Sequence, residues 1–361
     1  MRLLNRTVFF GLVIVPMFLG SVLLAEDLWE PIIKRLVSDG MSRQYLEPLF
    51  QQTVFDPDPI RSKLGNRFER KFKATRIKRI QEGLTQLGYK PGPVDSLEGP
   101  ATRAAIQAFQ KGQGISVTGR ATALVLEEIE LKLHPGKTRR KSKTSSRPVY
   151  KEILKPKSLA ESRQFLQENR SILGQIASQY GVPEEISVGI LAIETKHGTY
   201  LGKKRAFTTL ASLSLAQDFE IVKPFFQEIL LTRSREAWLR SNARKVGDWG
   251  FHELKALFEY ARHANLELVA IPGSVYGAIG ISQFMPSNAL RFGVDGNQNG
   301  IIELFEVEDA LHSMANYLKK HGWRKGLNSR SRQARVLYRY NHSRTYVNTV
   351  LKVAEEISTS P

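Results

Sequence analysis

The sequence predicts a mainly α-helical protein built as two modules. Three observations carry this. Apolar residues recur at helical spacing in ten separate stretches, strand-like alternation is scarce, and Pro- and Gly-rich punctuation falls between the stretches. At 361 residues and 42% apolar content the chain has room for two cores. It has no cysteine, which excludes disulfides and a lipid carried on an N-terminal Cys.

Taken in order, residues 1–25 read as an export signal or an uncleaved membrane anchor. Arg2 and Arg6 precede an apolar run from Val8 to Leu24. Leu23-Leu24-Ala25 is a mediocre cleavage site, and the run approaches the ~18 residues that a membrane span needs. No second transmembrane candidate follows. Residues 27–73 come next, with Asp56-Pro57-Asp58-Pro59 marking a loop. Residues 74–133 form a small unit with helical patterns at 76–87, 101–112 and 121–131, for which Leu84, Leu87, Ile106, Phe109 and Leu124 supply a core. Residues 134–149 are rich in Lys, Arg, Ser and Thr and nearly devoid of apolar residues, as a flexible basic linker is. From 150 to 361 the patterns are helical at 158–180, 183–197, 220–232, 250–266, 308–320, 330–338 and 345–357.

The net charge of +18 is concentrated. Residues 61–79 carry nine Lys/Arg against one Glu, and 137–147 carry six with no acid. Nucleic acid, anionic lipid or an acidic polymer would each suit such runs. Behind an export segment, an anionic envelope surface is the favoured partner and nucleic acid is not.

One acid stands out. Glu194 ends an apolar run that starts at Ile186, and Ile186, Ile190 and Glu194 fall on one helical line. Pro183 suits the first helical position, Glu184 and Glu185 the first turn, and Gly198 the stop. The acid therefore faces the core at the end where the helix dipole disfavours an anion. Burial and dipole both raise its pKa, as a general acid requires. A solvated Glu at a fraying helix end is the equal alternative from this segment alone.

A second motif, Asp295-Gly296-Asn297-Gln298-Asn299-Gly300-Ile301-Ile302-Glu303-Leu304-Phe305-Glu306, fits the EF-hand loop template, with Gly at position six and Glu at twelve. Asp295, Asn297, Asn299, the Ile301 carbonyl and Glu306 are the expected Ca2+ ligands, with Glu303 through water. Two Asn in place of carboxylates place affinity in the weak class, ~10⁻⁴–10⁻³ M. The ion is structural, and no organic cofactor is expected. A metal-free Asx-turn loop is the alternative.

Two resemblances join these pieces. Ile80-Gln81-Glu82-Gly83-Leu84-Thr85-Gln86-Leu87-Gly88-Tyr89, Gly92-Pro93-Val94-Asp95, Gly99-Pro100-Ala101-Thr102 and Ile106-Gln107-Ala108-Phe109-Gln110 resemble the peptidoglycan-binding domain type 1, a three-helix bundle. Gly181 to Ile186 leading to Glu194-Thr195, the run Gly273-Ser274 to Gln283-Phe284-Met285-Pro286-Ser287, and Tyr340-Asn341-His342-Ser343 with Tyr346-Val347 resemble the lytic murein transglycosylase B family. The resemblance covers 150–361 with its EF-hand-like loop, and resumes at 27–73, so that the bundle interrupts the catalytic domain. Two departures are evident: His197 stands where the family has an aromatic residue, and the stretch between Ser214 and Ser274 is longer than usual.

The resemblance implies a lysozyme-like helical fold and a peptidoglycan lytic transglycosylase that is exported to the periplasm or cell envelope. Glu194 would be the sole catalytic residue, acting first as acid and then as base. Ser274 and Gln283 would orient it or bind sugar, and Tyr340, Asn341 and Tyr346 would line the cleft. The matched cleft motifs hold no second acid, whereas ordinary glycosidases need two carboxylates. The expected product is a 1,6-anhydro sugar, in wall turnover or remodelling. The alternatives are a hydrolytic muramidase, or a catalytically idle scaffold that binds wall glycan.

Overall fold

A computed structural model describes residues 25–136, 147–229 and 232–358. The segment 1–24 and nearly all of the basic run 137–147 lie outside the described residues. The chain divides into two compact units at Thr53/Val54, inside the stretch 27–73 read above as one piece.

The described part of the first unit is a helix pair, α1 (Ala25–Ser38) and α2 (Arg43–Gln51). Its centre is Trp29, 2% exposed, whose ring lies 5.5 Å from that of Phe50. The indole N–H donates to the Thr53 carbonyl, so the buried polar edge is satisfied.

The second unit begins with α3 (Asp58–Phe72). Lys73, left-handed at φ 52°, is both its C-cap and the N-cap of α4 (Ala74–Gln86), so the two helices join through one residue. With α5 (Pro100–Gly112) and α6 (Ala123–Leu133), α4 surrounds a core of Ile77, Ile80, Leu84, Ile106, Phe109, Val125 and Ile129. Leu124, expected in this core, is instead 45% exposed. Thr122 caps α6 and sets its phase so that Val125 and Ile129 turn inward. The motif residues Gln81, Asp95 and Thr102 are not surface features. Gln81 Nε2 donates to Asp95 and Thr102, and its Oε1 accepts from the Ser96 N–H, pinning the loop before α5.

The helical lobe that follows contains α7 (Pro156–Glu168), α8 (Arg170–Tyr180) and α9 (Glu184–Glu194). The pattern at 158–180 is thus two helices, broken at Asn169. α9 is apolar almost all round because it is central: α7, α8, α14 (Val307–Lys320) and α16 (Arg344–Ser358) pack around it. A two-residue ribbon pairs β1 (Lys204–Arg205) with β2 (Pro272–Gly273), antiparallel.

Between these strands lie α10 (Ala206–Ser214), the short α11 (Phe219–Val222) and α12 (Arg233–His263). The pattern at 220–232 becomes α11 and a 3₁₀ turn. The pattern at 250–266 is the second half of α12, which is 31 residues long. Its first half buries only Arg235, Leu239, Ala243 and Val246 among many charged residues, and near its middle Gly247 and Gly250 lie against the backbone at Gln217 and Leu213. α13 (Pro286–Phe292) and α15 (Arg330–Tyr340) complete the lobe. No helix of the described residues is long and apolar enough to cross a membrane.

Candidate active site

Glu194 is the last residue of α9, and the chain leaves the helix there rather than at 197. Lys196 (φ 48°), His197 (φ 59°) and Gly198 (φ 89°) all adopt left-handed backbone. Two consecutive non-glycine residues in that region are costly and are held only where the surroundings enforce them. Thr195, 1% exposed, enforces this one: its hydroxyl donates to the Ile281 carbonyl at 2.9 Å and accepts the Gly198 N–H. Thr195 was not singled out from the sequence, yet it ties the acid to the loop 273–286.

The Glu194 carboxyl keeps part of its surface open but is ringed by protein atoms. Burial raises its pKa to about 7, and the nearby Tyr346 hydroxyl pulls it back slightly. That hydroxyl falls short of a closed hydrogen bond and has no other protein partner. Tyr346 is 1% exposed, so its ring sits behind the acid and offers no stacking face to a ligand. Tyr340, half-buried, donates to the Ser282 carbonyl at 2.6 Å, and its ring stacks at 12° and 6.3 Å on that of Tyr346. Burial raises both tyrosine pKa values well above normal, and the Glu194 carboxylate adds to it, so both stay neutral. Among the described residues no second carboxylate acts on Glu194.

The structure thus brings Glu194, Tyr340 and Tyr346 together. Ser274 and Gln283 belong to the adjoining loop and are spent on its shape. Ser274 Oγ accepts the Tyr276 and Ala278 N–H groups, and Gln283, left-handed at φ 49°, donates Nε2 to the Gly280 carbonyl. Asn341 follows α15 in extended backbone and donates its N–H to the Leu337 carbonyl. None of these three is hydrogen-bonded to Glu194 among the described residues. The Ser282 hydroxyl, unremarked in the sequence, is fully buried without a partner.

His197 replaces an aromatic residue by behaving as one. Its ring stacks on Phe165 at 5.0 Å, and burial lowers its pKa to about 4, so it is a neutral plate at neutral pH.

The loop 295–306 is closed by its own backbone. Asp295 accepts the Asn299 and Gly300 N–H groups, Asn297 that of Asn299, and Asn299 that of Ile301, with Gly300 at φ 87°. Beneath it the fully buried Asp309 accepts from Gly296, Asn297 and Glu303. Asp309 is a support that the template did not reveal. No cluster of three or more His, Cys, Asp or Glu suited to a metal occurs among the described residues. The loop's own set holds two carboxylates, Asp295 and Glu306, with amides and one carbonyl. Such a hard, all-oxygen set fits Ca2+ and no softer ion.

Comparison with known proteins places this geometry. The family described as transglycosylase SLT domain matches residues 101–334. Membrane-bound lytic murein transglycosylase B of Escherichia coli K12 is 31% identical over 176 residues, which is 49% of this chain and 42% of that protein. The match therefore spans less than half of that relative's length. A 51-residue stretch, 14% of the chain, is 43% identical to localization factor PodJL of Caulobacter vibrioides. Among solved structures, Escherichia coli lytic transglycosylase Slt35 in complex with calcium has a TM-score of 0.55, covering 92% of this chain and 93% of that one. At 19% identity that likeness concerns the fold alone, a lysozyme-like helical lobe.

Proposed function

The chain belongs to the transglycosylase SLT domain family, and on that premise we propose that it is a peptidoglycan lytic transglycosylase. It cleaves the β-1,4 bond between N-acetylmuramic acid and N-acetylglucosamine and leaves a 1,6-anhydromuramyl end. The observation that carries this reading is the Glu194 carboxyl, held near pKa 7 with neutral tyrosines and, among the described residues, no second acid acting on it. A group poised there is protonated often enough to give a proton and basic enough to take one back.

Glu194 protonates the glycosidic oxygen as the bond from C1 breaks, and the N-acetylglucosamine leaves as an alcohol. The resulting carboxylate stabilises the oxocarbenium-like centre. It then removes the proton of the C6 hydroxyl of the muramyl residue, whose oxygen closes on C1. No water enters, and Glu194 ends protonated. Tyr346 backs the carboxyl with its hydroxyl close to it, Tyr340 fixes the Ser282 carbonyl, and the Ser274–Gln283 loop forms the wall beside it.

Several parts of the reading go with this proposal. Residues 74–133 would bind wall glycan, and 150–361 with 27–73 would form the catalytic domain. The segment 1–25 would export or anchor the protein, placing it in the periplasm or envelope. Ca2+ would be held by Asp295, Asn297, Asn299, the Ile301 carbonyl and Glu306, where it would stiffen the loop after α13. Millimolar Ca2+ should raise the melting temperature, and Asp295→Ala should remove that rise.

Mass spectrometry of digested sacculi tests the reaction. Wild type should release 1,6-anhydromuropeptides, and Glu194→Gln should release none. Products one water heavier would make the enzyme a hydrolase instead.

A further inference from the structure

The surface formed by the end of α14, the turn after it and the Arg330–Arg339 part of α15 takes no part in the reaction proposed above. Over residues 310–354 the chain carries ten lysines and arginines and no acid. Folding gathers these charges around two cavities that share Arg335. One, of about 600 Å³, is lined by Lys320, Arg324, Arg332, Arg335 and Arg339. The other, of about 720 Å³, has Arg147, Arg335 and Arg344 on its walls. Neither is lined by any Asp or Glu, and among the described residues none of the first cavity's five cations makes an ion pair.

The frame is fixed. Trp323, 2% exposed, donates its indole N–H to the Gly181 carbonyl at 2.9 Å and anchors the turn that presents Arg324. Gln333 Nε2 donates to the Leu327 carbonyl at 2.7 Å, tying that turn to α15. Val336 and Leu337 bury the inner side of α15. A basic face that serves only solubility intersperses both signs. Five cations around one concavity repel one another until an anion of multiple charge enters. Four of the five are arginines, whose planar forks match phosphate oxygens.

We propose that the cavity between α14 and α15 binds phosphate groups, and that Arg335 extends the site toward a second phosphate in the neighbouring cavity. The first cavity draws on neither of the basic runs 61–79 and 137–147, and the second takes only Arg147 from the latter. In the run 61–79, Lys63 is not a free surface charge but lies 3.3 Å from the Trp249 ring centre.

Titration of the full chain with inorganic pyrophosphate, and sedimentation with phosphatidylcholine vesicles with and without phosphatidylglycerol, test this at low salt. Arg332→Gln/Arg335→Gln should weaken binding at least tenfold. The control Arg244→Gln/Lys245→Gln, which removes the same charge from the exposed side of α12, should leave it unchanged. Both pairs should keep the wild-type melting temperature. Pyrophosphate binding marks a soluble phosphate ligand, and binding confined to phosphatidylglycerol vesicles marks a lipid headgroup. If wild type binds neither, or both pairs lose equally, the proposal is wrong.

Discussion

At the scale of single residues, the placement of Glu194 has a thermodynamic signature apart from its chemistry. Burial raises its pKa from 4.5 to about 7, so the folded state binds a proton there that the unfolded state releases between those values. Stability is therefore lost as pH rises from 4.5 to 7, by at most about 3 kcal/mol above that window. His197 runs the other way. Its pKa is lowered from 6.5 to about 4, so the unfolded state holds the extra proton and stability is lost as pH falls through that range. Glu194→Gln removes only the first effect. The variant should melt higher than wild type at pH 8, with no gain at pH 4, where both side chains are neutral. An equal shift at the two pH values would sink the assignment of a raised pKa. From its own segment the acid was ambiguous between a buried group and a solvated helix end, and it was the motifs at 273–287 and 340–347 that singled it out. The pair behind it was not legible: the sequence offers Tyr346 as a cleft residue, and only packing shows its ring shut away and its hydroxyl left facing the acid.

At the scale of elements, the distance between that hydroxyl and Glu194 is set by how closely α16 lies on α9. Gly189 is the contact point. A Cβ placed there would come 2.9 Å from the Val350 carbonyl oxygen, a backbone atom that cannot turn aside. Gly to Ala inside a helix ordinarily stabilises by about 1 kcal/mol. Here overpacking of about 1–3 kcal/mol opposes it, and the sign of the outcome reports the contact. Gly189→Ala should lower the melting temperature and reduce kcat more than it raises KM, because it separates α16 from the acid rather than blocking sugar. A stabilised, fully active variant would show that the helices can part freely. Most elements were readable where bulky apolar residues repeat, as in α14 and α16. Two escaped: α10, only nine residues long and buried along most of its length, and the first half of α12, where charged and polar residues outnumber the buried Leu239, Ala243 and Val246. The turn at 195–198 also escaped, since its left-handed backbone is imposed by a contact with Ile281, 86 positions away.

At the scale of the molecule, the bundle of α4, α5 and α6 is not simply tethered to the lobe. α3 runs into α4 through Lys73 alone, and α12 grips the loop before α5. Arg235, in the first turn of α12 and 3% exposed, donates Nη2 to the Ser96 carbonyl at 2.6 Å. Its guanidinium lies 5.5 Å and 5.6 Å from the rings of Phe68 and Phe72, and Trp238 meets both rings edge-on. The sequence suggested a bundle hung between a loop and a flexible linker, because a buried arginine cannot be told from the many exposed ones in so basic a chain. If the bundle binds glycan as proposed, a docked one would present it to Glu194 at a fixed offset, whereas a tethered one would sample many. Charge-assisted hydrogen bonds to a buried partner contribute about 1.5–3 kcal/mol, enough to hold or release a small bundle. Arg235→Ala should therefore uncouple it: calorimetry should resolve a second, lower transition, and ¹⁵N relaxation should show residues 74–133 tumbling faster than the lobe. A single transition with uniform tumbling would mean that the Lys73 junction suffices. In that case the offset between binding and cutting would be set by one residue's backbone rather than by the aromatic box around Arg235.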